Sequence, residues 1–316
     1  MKKFIKNLIV FLFICVLICS FFVILDIFVV KNQHNQNYNS AMLDKLNRLK
    51  SIDEPKIIII GDSNMAFGIN SKIIEEELSM PVVNLGLHGG IGDTYYEDLI
   101  KPYIKEGDIV IIAPYIQEGD EHFPDTALAF TLLEKNKELW EPFEFKKDKK
   151  LIRAYPYYVY SCFSKWITFS GNKGESTCYS RDAFNEYGDV IKRPKEYKKA
   201  TEELFSKDDV IKVPKTDKKF FESINAYNDF VTSKGATLLF TAYPVAKCEK
   251  TPTVEEYEKL EKELHDNLNC PIISKYEDYF ISTEYFYDTV LHLTSEGADI
   301  RTTQLVKDIK AYLNEQ

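Results

Sequence analysis

The chain has 316 residues, 45% of them hydrophobic, and a formal net charge of −9 at pH 7. That length buries one large core or two modest ones. An acidic balance without long single-sign blocks excludes a nucleic-acid binder, which carries a basic patch on a basic domain.

Residues Leu8 to Leu25 read LIVFLFICVLICSFFVIL, an uncharged run of 18 residues and long enough to cross a bilayer as a helix. Lys2, Lys3 and Lys6 precede it, which predicts a cytoplasmic N-terminus and an extracytoplasmic body. A cleaved signal peptide is the rival, but Asp26-Ile-Phe-Val-Val-Lys31 follows with no small-x-small site. Residues 1–30 are therefore expected to form a cytoplasmic tip and an uncleaved transmembrane anchor. Cys15 and Cys19 lie within it as apolar filler. Cys162, Cys178, Cys248 and Cys270 belong to the body, where disulfides are permitted but no metal spacing is present.

Residues 31–55 begin polar and then place Met42, Leu43, Leu46 and Leu49 at helical spacing, as expected of a juxtamembrane tether ending in a short helix. The body, 56–316, opens with Lys56-Ile-Ile-Ile-Ile60, a β-branched run suited to a strand buried on both faces. A helix is predicted over Ser71–Leu78, a short strand over Pro81–Gly86, a helix over Tyr95–Ile104 and a strand over Gly107–Ala113. Gly235–Tyr243 and Pro271–Tyr276 supply two more strands, and Ser295–Leu313 an amphipathic closing helix. Strands alternating with helices predict an α/β fold with a doubly wound parallel sheet of about five strands. Between the third and fourth strands, about 117–218, lies an insertion too long for a simple crossover. Its aromatic stretch Leu151–Thr168 reads as a cap or substrate platform near the ligand-binding end of the sheet.

Gly61-Asp62-Ser63-Asn64 sits on the tip of the first strand, and Asp288-Thr-Val-Leu-His292 precedes the last helix. Serine is a poor nucleophile at neutral pH and needs a base oriented by a third group. Ser63, His292 and Asp288 fill those roles, and the helix N-terminus after Ser63 supplies donors for an oxyanion. Against this stands the plainer reading of Ser63 as a helix cap and His292 as a loop residue. Asn64, His88 and Tyr115 are expected to line the substrate site. His122 with Glu118, Asp120, Glu121 and Asp125 lacks regular ligand spacing and reads as a solvated acidic loop, so no metal or cofactor is expected. Gly89-Gly90-Ile-Gly92 lacks the spacing of a dinucleotide or phosphate loop.

On these residues the chain resembles the SGNH (GDSL-type) hydrolase superfamily, in its membrane-anchored extracytoplasmic branch. Gly61-Asp-Ser63 looks like the first block, Asn84-Leu-Gly86 like the second and Asp288 to His292 like the last. Ala66-Phe-Gly68, Phe184 to Asp189 and Leu293 to Ala298 look similar to that branch as well. The resemblance implies a three-layer α/β/α, flavodoxin-like fold. It also implies a Ser63–His292–Asp288 triad, and an oxyanion hole from the N–H groups of Ser63 and Gly86. The family's Asp-x-x-His is here longer by one residue. Its third-block asparagine is absent after the third strand, where Gln117 or a backbone group is the available substitute. The implied activity is that of a serine acyl esterase or O-acyltransferase on envelope polysaccharide or teichoic acid. Its implied partners are an acylated glycan polymer, the bilayer and a multi-span membrane acyltransferase. A non-catalytic glycan-binding or assembly component on the same scaffold is the alternative.

Overall fold

The computed structural model describes residues 1–26, 33–114, 122–170, 178–192, 203–207 and 211–315. Helix α1 (Lys2–Ile24) is apolar on every side and buries none of its residues. It is long and apolar enough to cross a membrane.

The body is α/β. Its elements in order are α2 (Ala41–Ser51), β1 (Ile57–Ile60), α3 (Ser63–Gly68), α4 (Ser71–Leu78), β2 (Val82–Asn84), α5 (Asp93–Ile100), β3 (Ile109–Ile112), α6 (Thr126–Leu133) and α7 (Phe145–Ile167). They continue with α8 (Lys218–Ser233), β4 (Thr237–Phe240), β5 (Val245–Lys247), α9 (Val254–Asn267), β6 (Phe280–Ser282) and α10 (Ser295–Asn314). Four strands form a parallel sheet in the order β2-β1-β3-β4, with Ile57 opposite both Val82 and Ile109.

The isoleucine run explains why β1 is central. All four of its residues are buried, and alternation sends them to opposite faces. Ile57 and Ile59 join Ile109, Ile111 and Leu239 in a core closed by Ile74 of α4 and by Leu305 and Ile309 of α10. Ile58 and Ile60 join Val110, Ile112 and Phe240 in a larger core reaching α2, α5, α6, α7, α8 and α9. Burying each such side chain stabilises the fold by about 1.5–3 kcal/mol.

Two elements differ from the sequence reading. The segment Pro271–Tyr276 contributes one parallel bridge, Phe240 to Ile272, before a 3₁₀ turn at Tyr276–Tyr279 ends it. Helix α2, expected within a tether, is part of the body: Tyr38, Met42, Leu46 and Leu49 are buried in the larger core. Lys45 on the same helix is buried too, and its Nζ donates to the carbonyls of Asn84 (3.1 Å), Gly86 (2.6 Å) and Gly188 (2.6 Å). An amphipathic stripe in the sequence does not reveal whether it faces a membrane, a neighbour or its own domain; the buried lysine decides it here. None of the six cysteines forms a disulfide.

Candidate active site

The chain leaves β1 through Gly61, whose φ of +142° is closed to most side chains, and enters α3 at Ser63. Asp62 caps this helix: its Oδ1 accepts the Asn64 N–H (2.7 Å) and the Asn64 amide (2.6 Å). Burial pushes the Asp62 carboxyl above its ordinary pKa, against the opposing pull of Asn64, His292 and Arg301. Ser63 is half-buried at the first helical position, and its N–H has no acceptor among the described residues. It is one of the orphan donors every helix start exposes.

Asp288 and His292 come together as a pair. The imidazole Nδ1 lies 2.7 Å from Asp288 Oδ1, which fixes the proton on Nδ1 and leaves Nε2 as the free lone pair. The longer spacing is absorbed by Thr289, whose hydroxyl accepts the N–H groups of Leu291 (3.2 Å) and His292 (3.0 Å). A backbone bond from Tyr287 N–H to His292 O (2.8 Å) closes the loop. His292 then lies flat on the Phe67 ring, with centroids 4.1 Å apart and planes 5° from parallel. Phe67 is one helical turn after Ser63, so their Cβ atoms share a face at about 5–6 Å. The imidazole is thereby brought to the Ser63 face of α3. Among the described residues Ser63 and His292 are not hydrogen-bonded to each other, a contact that often tightens only with substrate bound.

Tyr179, which the sequence reading missed, completes the cluster. Its hydroxyl donates to Asp288 Oδ2 and lies 3.3 Å from His292 Nδ1. Burial acts to raise the Asp288 pKa, but the bonds from His292 and Tyr179 outweigh it and hold the carboxyl below its ordinary range. Burial and the Asp288 charge push the Tyr179 phenol well above its own. No local signal marks Tyr179: it lies 109 residues before Asp288 in a chain with 20 tyrosines.

The remaining expected site residues separate. Asn64 is fully buried, and every polar group of its side chain is engaged. Its amide donates to Asp62 and to Ala113 O (3.0 Å), and its Oδ1 accepts from Arg301 (3.0 Å), so its side chain braces the turn that carries Ser63 and has no polar group left for a ligand. Gly86 is also displaced from its expected role. The N–H groups of Leu85 and Leu87 point at β1 and the Gly61 carbonyl, so alternation turns the Gly86 N–H away, onto Asn84 Oδ1 (2.9 Å). The Gly89 N–H, at the head of the Gly89–Ile91 turn, has no acceptor among the described residues. His88 remains beside the site, coupled electrostatically to Asp62 and His292; burial lowers its pKa, and its Nδ1 accepts the Gly90 N–H (2.9 Å). Tyr115 and Gln117 lie outside the described residues.

A small, shallow cleft, lined by Ile60, Gly61, Asp93, Glu97, Ile112, Pro114 and Ile224, opens at the C-terminal ends of β1 and β3. His122, expected in a solvated acidic loop, is buried instead: its ring bonds Asp98 (2.9 Å) and Asp148 (3.2 Å), and Lys101 and Lys147 complete an ion network, while Glu118, Asp120 and Glu121 lie outside the described residues. Among the described residues no group of three potential ligands is placed to hold a metal ion. No protein-family model and no curated protein matches the chain.

Proposed function

We propose that the chain is a membrane-anchored, extracytoplasmic serine acyl esterase or O-acyltransferase of SGNH type. The observation that carries this reading is the Asp288–His292 pair, its Nε2 unspent, stacked on Phe67 one turn after a half-buried serine. Within it the sheet is taken as the doubly wound, flavodoxin-like arrangement, with Pro271–Tyr276 as a vestigial fifth strand.

In this mechanism the Ser63 hydroxyl attacks an ester carbonyl while His292 Nε2 takes its proton. Asp288, held ionised by Tyr179, stabilises the imidazolium. The Ser63 N–H and the Gly89 N–H hold the oxyanion, Gly89 replacing Gly86. Collapse expels the alcohol, which receives its proton from His292, and leaves an acyl-serine. Water resolves it in an esterase and a sugar hydroxyl in a transferase. The lysines before α1 favour a body outside the cytoplasm, where acyl esters of envelope polysaccharide or teichoic acid are the substrates in reach. A multi-span acyltransferase is the partner that would supply acyl groups.

The test is turnover of p-nitrophenyl acetate by the full chain in detergent. The reading requires activity that Ser63→Ala and His292→Ala abolish, and a shift of product from acetate to acetylated polyol when a polyol is added marks transfer. The spent Gly86 N–H favours one other reading, a non-catalytic glycan-binding component, and equal background rates in wild type and Ser63→Ala would overturn the catalytic reading in its favour.

A further inference from the structure

Helix α7 carries an exposed apolar face that the proposed chemistry does not use. After α1, seven of the eleven exposed large apolar side chains among the described residues fall between 145 and 169. Phe145, Ile152, Pro156, Tyr160, Phe163 and Ile167 recur at helical spacing along one stripe. Tyr157 flanks it at 73% exposure, and Phe169 stands just beyond the helix at 84%. The adjoining side, Leu151, Tyr158, Val159 and Cys162, is buried, with Tyr158 stacked on Phe130 of α6, and Phe163 at the stripe's edge is partly buried against the same core. The exposed part of the stripe is therefore not the face by which α7 joins the body.

Charge singles out the same helix. Although the chain is net −9, α7 holds six lysines and arginines against one acid, the buried Asp148. Lys149 and Arg153 are interleaved with the stripe itself. A helix of 23 residues is long enough to span a bilayer, but so many cations forbid it. Lying flat meets both demands: aromatic rings enter the headgroup boundary while the cations meet lipid phosphates.

The anchor ends against this helix. Asp26, the first charge after the apolar run of α1, accepts from the Tyr155 hydroxyl (2.8 Å) by its Oδ2, and its carbonyl accepts from Lys135 Nζ (2.7 Å). Phe22 and Leu25 pack on the same core as α7. The point at which the chain leaves the bilayer is thus joined to the helix whose exposed face suits a bilayer surface.

We propose that α7 lies in the headgroup layer of the membrane that holds α1, as a second contact that fixes how the body sits on an anionic lipid surface. This rests on α1 spanning the bilayer and not on the serine chemistry.

Trp166, on the flank of the stripe, is one of two tryptophans; Trp140, the other, is partly buried and donates to Glu134 O (3.0 Å). The full chain would be reconstituted into phosphatidylcholine–phosphatidylglycerol vesicles, with ordinary lipid or lipid brominated near the headgroup. Flotation reports the anchor independently. The proposal expects Trp166 emission, read in Trp140→Phe and as the difference between wild type and Trp166→Phe, to be quenched by half or more in brominated vesicles, with Trp140 unchanged. Equal Trp166 emission in both lipids with flotation intact overturns it. Acrylamide then tells whether water or protein covers the face. Failure to float overturns the anchor as well.

Discussion

The His292 imidazole rests on the Phe67 ring at 4.1 Å, almost parallel, so the ring lies on a floor from the helix that begins with Ser63. This ties two segments more than 200 residues apart to one geometry. Phe67→Leu keeps an apolar floor but removes the flat surface. Shrinking a fully buried ring to leucine costs less than the about 3–5 kcal/mol of truncation to alanine, whereas a displacement of about 1 Å at a reacting group costs about 10²-fold in rate. Phe67→Leu should therefore stay folded with a lowered Tm, while turnover of p-nitrophenyl acetate, read well below that Tm, falls steeply. Unchanged turnover would show that the stack does not position the base.

Tyr179→Phe tests the support of Asp288. The folded carboxyl lies below its ordinary range because the His292 and Tyr179 bonds outweigh burial. A depressed carboxyl contributes stability that is complete above the unfolded pKa and drains away as pH falls through the folded one. Removing the Tyr179 donor brings the folded value up, so the loss begins at higher pH. Urea unfolding of wild type and Tyr179→Phe through the acid range should show the variant failing first, and coincident curves would contradict it.

Lys45 gives a pH dependence of the same sign at the alkaline end. Burial pulls its ammonium down from 10.5 to about 7, with Asp189 opposing. Between those values the unfolded chain binds a proton that the folded chain lacks, so stability rises with pH across that window. Lys45→Met removes the rise and strands three carbonyls, an unmet buried partner costing about 1–3 kcal/mol. The Tm difference, wild type minus variant, should grow as pH increases above 7.

Arg301 of α10 pins the Gly61–Asn64 turn from behind. It is buried and donates to Asn64 O (2.8 Å), Asn64 Oδ1 (3.0 Å) and Ala242 O (3.3 Å), and burial lowers its pKa to about 10. A Cβ on Gly68 would meet its guanidinium at 2.3 Å. Arg301→Met, which leaves buried carbonyls unmet, and Gly68→Ala, which crowds the guanidinium, should each lower stability by about 1–3 kcal/mol and reduce turnover together with it, read by urea unfolding and ester hydrolysis.

What the sequence shows of this molecule is what depends on local pattern. Four isoleucines can only be a strand buried on both faces, and a glycine before Ser63 marks the turn. Asp288 and His292 are near enough in sequence to be paired by eye. The braces are invisible because they are long-range. Asn64 reads as a polar site residue until Arg301, 237 positions away, is seen to bind it. Gly86 looks like a free donor until the phase of the β2 extension turns its N–H onto Asn84. Tyr179 reaches Asp288 only through the fold of the 178–192 segment. Helix α2 reads as a tether because an apolar stripe does not say what it faces.

The account stands on Ser63 as an activated nucleophile. The most direct measurement is labelling of the full chain with a fluorophosphonate probe, followed by peptide mapping. The account predicts a single phosphonylated peptide bearing the probe on Ser63, weakened in His292→Ala and absent in Ser63→Ala. Absence of label in folded wild type, or equal label in Ser63→Ala, would contradict it.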